Sequence, residues 1–325
     1  MIFRTEVKLS KHPGAITHDS AIMMLGSCFS DNMAEQLSRR LFNVKANPFG
    51  TLFNPASISQ TLQRIASRKH FCENEIFKSG NLYRSYDCHS SLCDISADNM
   101  LDILNQEIDS SAEFLYKATD VFLTFGTAWI YELKETGKIV ANCHKQHPNM
   151  FARRKMSIDE TETQIKNAIE AIKSVNPKAK IWLTVTPVRH LADGAHENNL
   201  SKATLLLASE NVSKQTDIIY FPSYEIVLDE LRDYRFFSSD MCHPSEIAVN
   251  YIYEQFAKSL FSDETAELAA KCEKLTRRMA HRPLTSDKEA FEQFRQETIN
   301  QQQALLSQHP QLRDAMTRIY KNFLQ

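Results

Sequence analysis

The chain has 325 residues, of which 42% are hydrophobic and 24% charged, a composition typical of a soluble globular protein with a core of normal size. Its net charge of −2 and its pI near 6.6 provide no basic field that would attract nucleic acid. No apolar stretch approaches the roughly 20 residues of a membrane span. The N-terminal segment also lacks the apolar core of about 7–15 residues that a secretory signal needs. We therefore expect a cytoplasmic protein that binds neither nucleic acid nor membranes.

The number of cysteines favours the same compartment. Seven is an odd number, which free thiols in a reducing compartment explain more simply than a disulfide framework does. They stand at positions 28, 72, 88, 93, 143, 242 and 272.

The first predicted elements are a strand and a helix joined by a sharp turn. The apolar run 21–25 predicts the strand, which ends at Gly26. From Ser30 onward apolar residues recur at helical spacing, which predicts a helix capped by Ser30 or Asp31.

Further strands and helices then alternate along the chain. Short apolar strands between longer amphipathic helices predict a buried, mainly parallel sheet with helices on both faces. The predicted fold is therefore a three-layer α/β/α sandwich of the flavodoxin-like kind. Its further strands are 121–125, 180–186 and 217–221, and its further helices are about 158–174, 199–213 and 246–261, the last opened by Pro244.

The apolar strands disappear after about residue 262. Glu, Gln, Arg and Lys at helical spacing predict two or three helices, with a break at Arg282-Pro283. The sequence thus predicts an α/β domain over residues 1–262 and a C-terminal helical extension over 263–325. These helices pack either on the core or on a partner, and a homo-oligomer could form through them.

The carboxyl ends of the strands select the candidate functional residues. In parallel α/β sheets, active sites form outside these ends. The segments that follow the predicted strands are 26–29, 126–129 and 187–190, and the segment 240–243 precedes the last helix of the sheet.

Cys28 occupies the turn between the first strand and its helix. The positive end of the helix dipole and the unpaired amides of the first turn favour a thiolate there. The same amides could hold a developing oxyanion. Ser27 is the rival nucleophile, and because neighbouring residues point in opposite directions, only one of the two should face the cleft. The alternative is that Cys28 is simply a small buried residue.

Asp240 and His243 form the second candidate group. In a tight turn, a spacing of three residues lets the carboxylate bind one imidazole nitrogen while the other faces outward. A base held in one tautomer by a carboxylate is what nucleophilic catalysis needs. The alternative is a helix cap with a surface histidine.

These motifs together resemble a known family. The segment 26–30, Gly-Ser-Cys-Phe-Ser, resembles the first block of SGNH/GDSL hydrolases, and the segment 240–243 resembles their last block, Asp-x-x-His. More closely, the chain resembles the GSCFA-domain proteins, a family placed in the SGNH group. The resemblance covers roughly residues 15–262 and includes the stretches 47–55, 140–145 and 198–202.

The resemblance implies a catalytic triad of Cys28, His243 and Asp240. The nucleophile position of the first block falls on Cys28, and the usual Asp of that block falls on Ser27. Because of this departure, the nucleophile could be either sulfur or oxygen. The glycine of the second block, an oxyanion donor, is best matched by Gly50.

The third block, Gly-x-Asn, falls on the segment from Gly126 to Ala128, and the resemblance makes Gly126 a second candidate oxyanion donor. Ala128 cannot donate the side-chain hydrogen bond that the family's Asn supplies. Loss of one oxyanion donor typically costs about 100- to 1,000-fold in rate. Asn142 and Asn54 are the candidates to replace it.

Other polar and aromatic residues are candidates for substrate binding. His89 and His144 either line the cleft or pack with satisfied nitrogens. Trp129 forms either an apolar wall or part of the core. These candidates are Asn54, His89, His144, Lys145, Trp129 and His190.

Three Cys-His dipeptides, at 88–89, 143–144 and 242–243, suggest a zinc site as a rival. None has the short Cys-x-x-Cys or His-x-x-x-His spacing that makes such a signal strong. We therefore expect neither a metal nor another cofactor.

The predicted function is acyl ester hydrolysis through a covalent intermediate on Cys28 or Ser27. His243 would be the base and Asp240 its orienting partner. The resemblance implies an ester of a small molecule or carbohydrate, such as an O-acetyl group on a sugar, and transfer to another acceptor is also open. Two alternatives remain: a non-catalytic protein that binds a ligand or glycan on an SGNH scaffold, and a zinc-dependent hydrolase.

Overall fold

The protein is described by a computed structural model over residues 4–215, 217–281 and 288–320. The predicted break at Arg282-Pro283 lies outside the described residues. Within these three ranges, no helix combines the length and the apolarity needed to cross a bilayer.

Strands and helices alternate along most of the chain. In chain order the strands are β1 (Ala21–Gly26), β2 (Asn43–Ala46), β3 (Phe77–Ser79), β4 (Leu82–Arg84), β5 (Asp120–Phe125), β6 (Trp129–Leu133), β7 (Ile139–Val140), β8 (Phe151–Lys155), β9 (Lys180–Val185) and β10 (Ile219–Tyr220). The helices are α1 (Cys28–Ser38), α2 (Pro55–Ala66), α3 (Ala97–Lys117), α4 (Ile158–Val175), α5 (Gly194–Lys214), α6 (Ser223–Glu225), which continues as a π-helix over Ile226–Leu231, α7 (Glu246–Leu260), α8 (Asp263–Met279), α9 (Lys288–Gln308) and α10 (Arg313–Tyr320).

A five-stranded parallel sheet, in the order β10-β9-β5-β1-β2, forms the centre of the fold. The side chains of β1 alternate between its two faces. Met23 and Leu25 pack with helices α2 to α5, whereas Ile22 and Met24 pack with α1 and α7. Every residue of β1 and β5 is buried, which explains why these strands are continuous apolar runs. The predicted three-layer α/β/α fold is confirmed.

Several element boundaries differ from the prediction. Helix α1 begins at Cys28 because the Ser27 hydroxyl caps it, so the expected caps Ser30 and Asp31 lie inside its first turn. Pro244 lies just before the N-cap residue of α7, Ser245, and not inside the helix. The prediction also missed β2, α2 and α3, as well as two small antiparallel sheets, β3-β4 and β7-β6-β8.

The C-terminal helices pack on the α/β part of the chain. Leu41, which follows α1, lies in one cluster with buried apolar residues of α8 and α10. Polar contacts reinforce this packing, since Arg40 pairs with Glu273 at 2.8 Å and the Thr276 hydroxyl donates to the Arg39 carbonyl. The division of the chain into domains at residue 262 stays a prediction.

Candidate active site

The turn that carries Cys28 begins where β1 meets β5 at very short range. Gly26 has a φ of +142°, and a Cβ on it would lie 2.0 Å from the carbonyl oxygen of Thr124. The next amide, that of Ser27, donates to the same carbonyl at 3.3 Å. Only glycine fits this approach, so the chain can turn directly from β1 into α1.

Ser27 and Cys28 differ sharply in exposure. Ser27 is fully buried, and its hydroxyl oxygen accepts a hydrogen bond from the amide of Phe29 at 3.3 Å. This is the bond of an N-cap residue. Cys28, the first residue of α1, is partly exposed.

The Cys28 thiol is protonated at rest. Burial raises its pKa, and the carboxylate of Asp31 raises it further. The backbone amides of Cys28 and Phe29 and the ammonium of Lys202 act in the opposite direction. Because burial dominates, the expected preference for the thiolate was wrong. A base must therefore take the thiol proton if the sulfur is to attack a carbonyl.

Asp240 and His243 form the predicted pair. The Asp240 Oδ2 lies 2.6 Å from the Nδ1 of His243, and its Oδ1 accepts hydrogen bonds from the amides of Cys242 and His243, both at 2.9 Å. These bonds lower the pKa of Asp240 to about 2. The histidine side chain is 47% exposed. An ionised, fixed carboxylate thus holds Nδ1, and the other ring nitrogen is available for proton transfer.

The loop that carries this pair is joined to the sheet edge. The amide of Arg189, after β9, donates to the Cys242 carbonyl at 3.0 Å. The neighbouring His190 is close enough to His243 for the two rings to interact electrostatically. His190 also packs edge-on against Phe53, with ring centroids 5.7 Å apart. The structure therefore brings the loops after β9 and before α7 together at one edge.

His190 is an uncharged histidine in this arrangement. Burial, together with the positive charges of Lys202 and His243, lowers its pKa to about 3. Its amide donates to the Asn198 side chain at 2.8 Å. Among the described residues, its buried Nε2 has no hydrogen-bond partner. Because this nitrogen is sealed from solvent, the role of His190 in substrate binding stays a prediction.

The two glycines predicted as oxyanion donors have other partners. The Gly50 amide donates to the Asn47 carbonyl, and the Gly126 amide donates to the Phe53 carbonyl, both at 2.8 Å. Each amide is thus occupied within the fold, so these two assignments were wrong. In contrast, the Cys28 amide at the start of α1 faces its own sulfur, where an oxyanion would form.

The two asparagines proposed to replace the third-block Asn have local roles. Asn54 caps α2 by accepting from the Ser57 amide at 2.8 Å. Asn142 accepts from the His144 amide at 2.7 Å and lines a cavity of about 600 Å³. Phe53, Tyr131 and Phe151 also line this cavity. Asn142 therefore lines this cavity, and its predicted oxyanion role stays a prediction.

Three of the four further candidates for substrate binding also have structural partners. His89 packs its Cβ under Gly50, and the ring of His144 is buried and bonded to the Ser85 carbonyl at 2.7 Å. The guanidinium carbon of Arg153 lies 4.3 Å from the centroid of the Trp129 ring. His144 thus matches the alternative of a packed histidine with a bonded nitrogen. Lys145 has a positive φ of 57° in the turn beside it.

The zinc hypothesis has no ligand set in the described part of the chain. There, no group of three or more His, Cys, Asp or Glu residues is placed to hold a metal ion. Cys88, in the first dipeptide, is fully buried, and burial raises the pKa of its thiol above the usual range.

Two residues at this edge were missed as site residues. The Asn47 side chain accepts from the Gly26 amide and donates to Asp31, both at 2.8 Å. Lys202 donates to the carbonyls of Gly126 and Thr186. A signal for Lys202 was present, because helical spacing places it on the buried stripe of α5. Asn47 follows β2, which was itself not predicted.

Comparisons with known proteins agree with the motifs. The model of the GSCFA family matches residues 21–256, and that of the GSCFA domain protein C-terminal domain matches residues 272–318. A search of curated proteins found no match. A carbohydrate esterase family 3 structure from Talaromyces cellulolyticus is similar over 77% of this chain and 97% of that one, with 10% identity and a TM-score of 0.36. A TM-score this low supports no conclusion about fold or activity. Since the first family model covers most of the α/β part, the chain belongs to the GSCFA family.

Proposed function

We propose that this protein is an acyl ester hydrolase of the SGNH kind, with Cys28 as nucleophile, His243 as base and Asp240 as its orienting residue. One observation carries the proposal: an ionised carboxylate holds a half-exposed imidazole on a loop that is hydrogen-bonded to the segment after β9. Ser27 is the weaker candidate nucleophile, because its buried hydroxyl caps α1.

In the proposed reaction, His243 takes the thiol proton as the sulfur attacks the ester carbonyl carbon. The carbon–oxygen bond then breaks, and the leaving alcohol receives that proton from His243. A thioester remains on Cys28. Water attacks it with His243 again as base, which releases the carboxylic acid and returns the proton to the sulfur. An alcohol in place of water would give transfer.

The Cys28 amide is the proposed oxyanion donor. It lies at the N-terminus of α1, where the helix dipole adds to its effect on a negative oxygen. Because the amides of Gly50 and Gly126 are occupied, this hole has fewer backbone donors than the resemblance implied.

The proposed substrate is a small-molecule or carbohydrate ester such as an O-acetylated sugar. The cavity of about 600 Å³ beside Phe53 supports this choice. Tyr131 and Phe151 offer aromatic faces there, and Asn142 and Gln146 offer amide groups. Aromatic rings with a few polar side chains are the usual lining of small-molecule sites.

A second candidate is a non-catalytic binding protein on the same scaffold. The specific observation that favours it is the loss of oxyanion donors. Ala128 lacks the side-chain amide, and its own backbone amide donates to the Ser201 hydroxyl at 2.8 Å. Such a protein would retain ligand without turnover.

Hydrolysis of p-nitrophenyl acetate by wild type and three variants tests the proposal. Cys28→Ala and His243→Ala should each lower kcat/KM by about 100- to 10,000-fold, because each removes a participant in proton transfer or attack. Ser27→Ala is the matched control. It should retain most activity while losing about 0.5–2 kcal/mol of stability with the helix cap.

Two results would contradict this assignment. If Ser27→Ala is inactive and Cys28→Ala is active, the nucleophile is the hydroxyl. If wild type hydrolyses no acyl ester of any chain length but binds acetylated sugars in calorimetry, the binding protein is correct.

A further inference from the structure

Lys202 is a lysine with almost no contact with solvent. It lies on α5 and is 1% exposed. Its Nζ donates to the Gly126 carbonyl at 2.6 Å and to the Thr186 carbonyl at 2.8 Å. These residues directly follow β5 and β9, so the ammonium lies at the carboxyl edge of the sheet. Two of its three N–H groups are thus fixed by backbone.

The surroundings of Lys202 leave its charge without a carboxylate partner among the described residues. The titratable groups that face it are Cys28 of α1, His190 after β9 and the Tyr224 ring of α6, 5.9 Å from Nζ. Taking an ammonium out of water without an anion is costly. The burial accordingly lowers the pKa of Lys202 to about 7.

Lys202 and Cys28 act on each other. The ammonium lowers the pKa of the thiol, and the thiolate in turn raises the pKa of Lys202. The ammonium therefore favours the loss of the thiol proton that would start catalysis. A neutral side chain of similar size would hold the same space without this effect.

We propose that Lys202 is a positioning residue that fixes the carbonyls of Gly126 and Thr186 and presents a positive charge toward the Cys28 sulfur as it loses its proton. This role rests on the proposed function.

The test is the rate at which iodoacetamide alkylates Cys28 between pH 6 and 10, followed by peptide mass spectrometry in wild type and Lys202→Met. Iodoacetamide reacts with the thiolate. At pH 6, wild type should react about tenfold faster than Lys202→Met, which is equivalent to a difference of about one unit in the pKa of the Cys28 thiol. The ratio should approach one by pH 10, where Lys202 has lost its own proton. The exposed Cys72 is the internal reference for reagent reactivity.

Two further variants separate charge from hydrogen bonding. Lys202→Arg keeps the charge at every pH, so its advantage over Lys202→Met should persist at pH 10. Lys202→Gln keeps N–H donors without charge and should behave like Lys202→Met. It also serves as the neutral variant if Lys202→Met does not fold, as judged by circular dichroism.

The results distinguish this inference from the proposed function. Equal rates in wild type and both neutral variants, or a deficit that is the same at every pH, would overturn the role of Lys202 and leave Cys28 as nucleophile. If Cys28→Ala retains full esterase activity, the proposed function fails, whatever the alkylation ratios are.

Discussion

At the scale of single residues, the Cys28 sulfur lies between two opposite charges. The Asp31 carboxylate, one turn along α1, raises the pKa of the thiol, and the Lys202 ammonium lowers it. Asp31 is itself held by the Asn47 side chain and is partly buried, which raises its own pKa. Because burial of the sulfur adds to the effect of Asp31, the pKa of the thiol lies above its ordinary value.

Asp31→Asn should therefore make Cys28 more reactive. The substitution removes the negative charge and keeps an oxygen that can accept from Asn47. Loss of the charge lowers the pKa of the thiol, so alkylation of Cys28 at pH 8 should rise by about three- to tenfold. Glu35→Gln removes the same charge from the exposed face of α1 and is the control. An equal increase in both variants would indicate a general charge effect and contradict this account.

At the scale of elements, the contact between β1 and β5 determines where Cys28 lies. Gly26 pairs with Thr124 in the parallel register, and the Asn47 side chain holds the Gly26 amide from the end of β2. Three neighbouring strands thus fix one turn. The position of Cys28 therefore depends on the sheet as much as on α1.

Gly26→Ala should destabilise the protein by about 3 kcal/mol or more, because the new Cβ would overlap the Thr124 carbonyl. The measurement is the free energy of unfolding in urea. Gly14→Ala is the control, since Gly14 has a positive φ of +77° but no neighbour within 4 Å. It should lose only about 1–2 kcal/mol. Similar losses in the two variants would show that backbone conformation, and not the strand contact, explains Gly26.

At the scale of the whole molecule, the C-terminal helices share buried surface with the α/β part. Leu275 of α8 and Leu312 lie in the cluster that contains Leu41. Ala269 of α8 also belongs to the larger cluster between the sheet, α1 and α7. This packing predicts that the helices and the sheet unfold together. Association of two copies through these helices stays a prediction, which light scattering can test.

Leu275→Ala should lower the free energy of unfolding by about 2–4 kcal/mol, because it leaves a cavity in this cluster. The tryptophan fluorescence transition in urea should move with it, since both tryptophans, Trp129 and Trp182, lie in the α/β part. Leu207→Ala, at a position that is 51% exposed, should change stability by less than about 0.5 kcal/mol. If Leu275→Ala shifts the urea transition seen by circular dichroism but not the one seen by tryptophan fluorescence, the C-terminal helices unfold separately and are an independent domain.

The layers of the fold and the pairing of Asp240 with His243 were predictable from the sequence alone. Buried parallel strands must be continuous apolar runs, so β1, β5 and β9 were predictable. The pairing of Asp240 with His243 was predictable because it depends on three residues of local chain. Strand β2 was missed because all four of its residues are only partly buried and carry no apolar pattern.

Only the tertiary structure decided which groups at the sheet edge are free to act. The amides of Gly50 and Gly126 are taken by carbonyls that no local pattern identifies. Lys202 reaches a carbonyl 76 positions away. Hydrogen-bond partners and burial depend on residues that are distant in the chain, and these two quantities set the pKa of Cys28 and the availability of each donor.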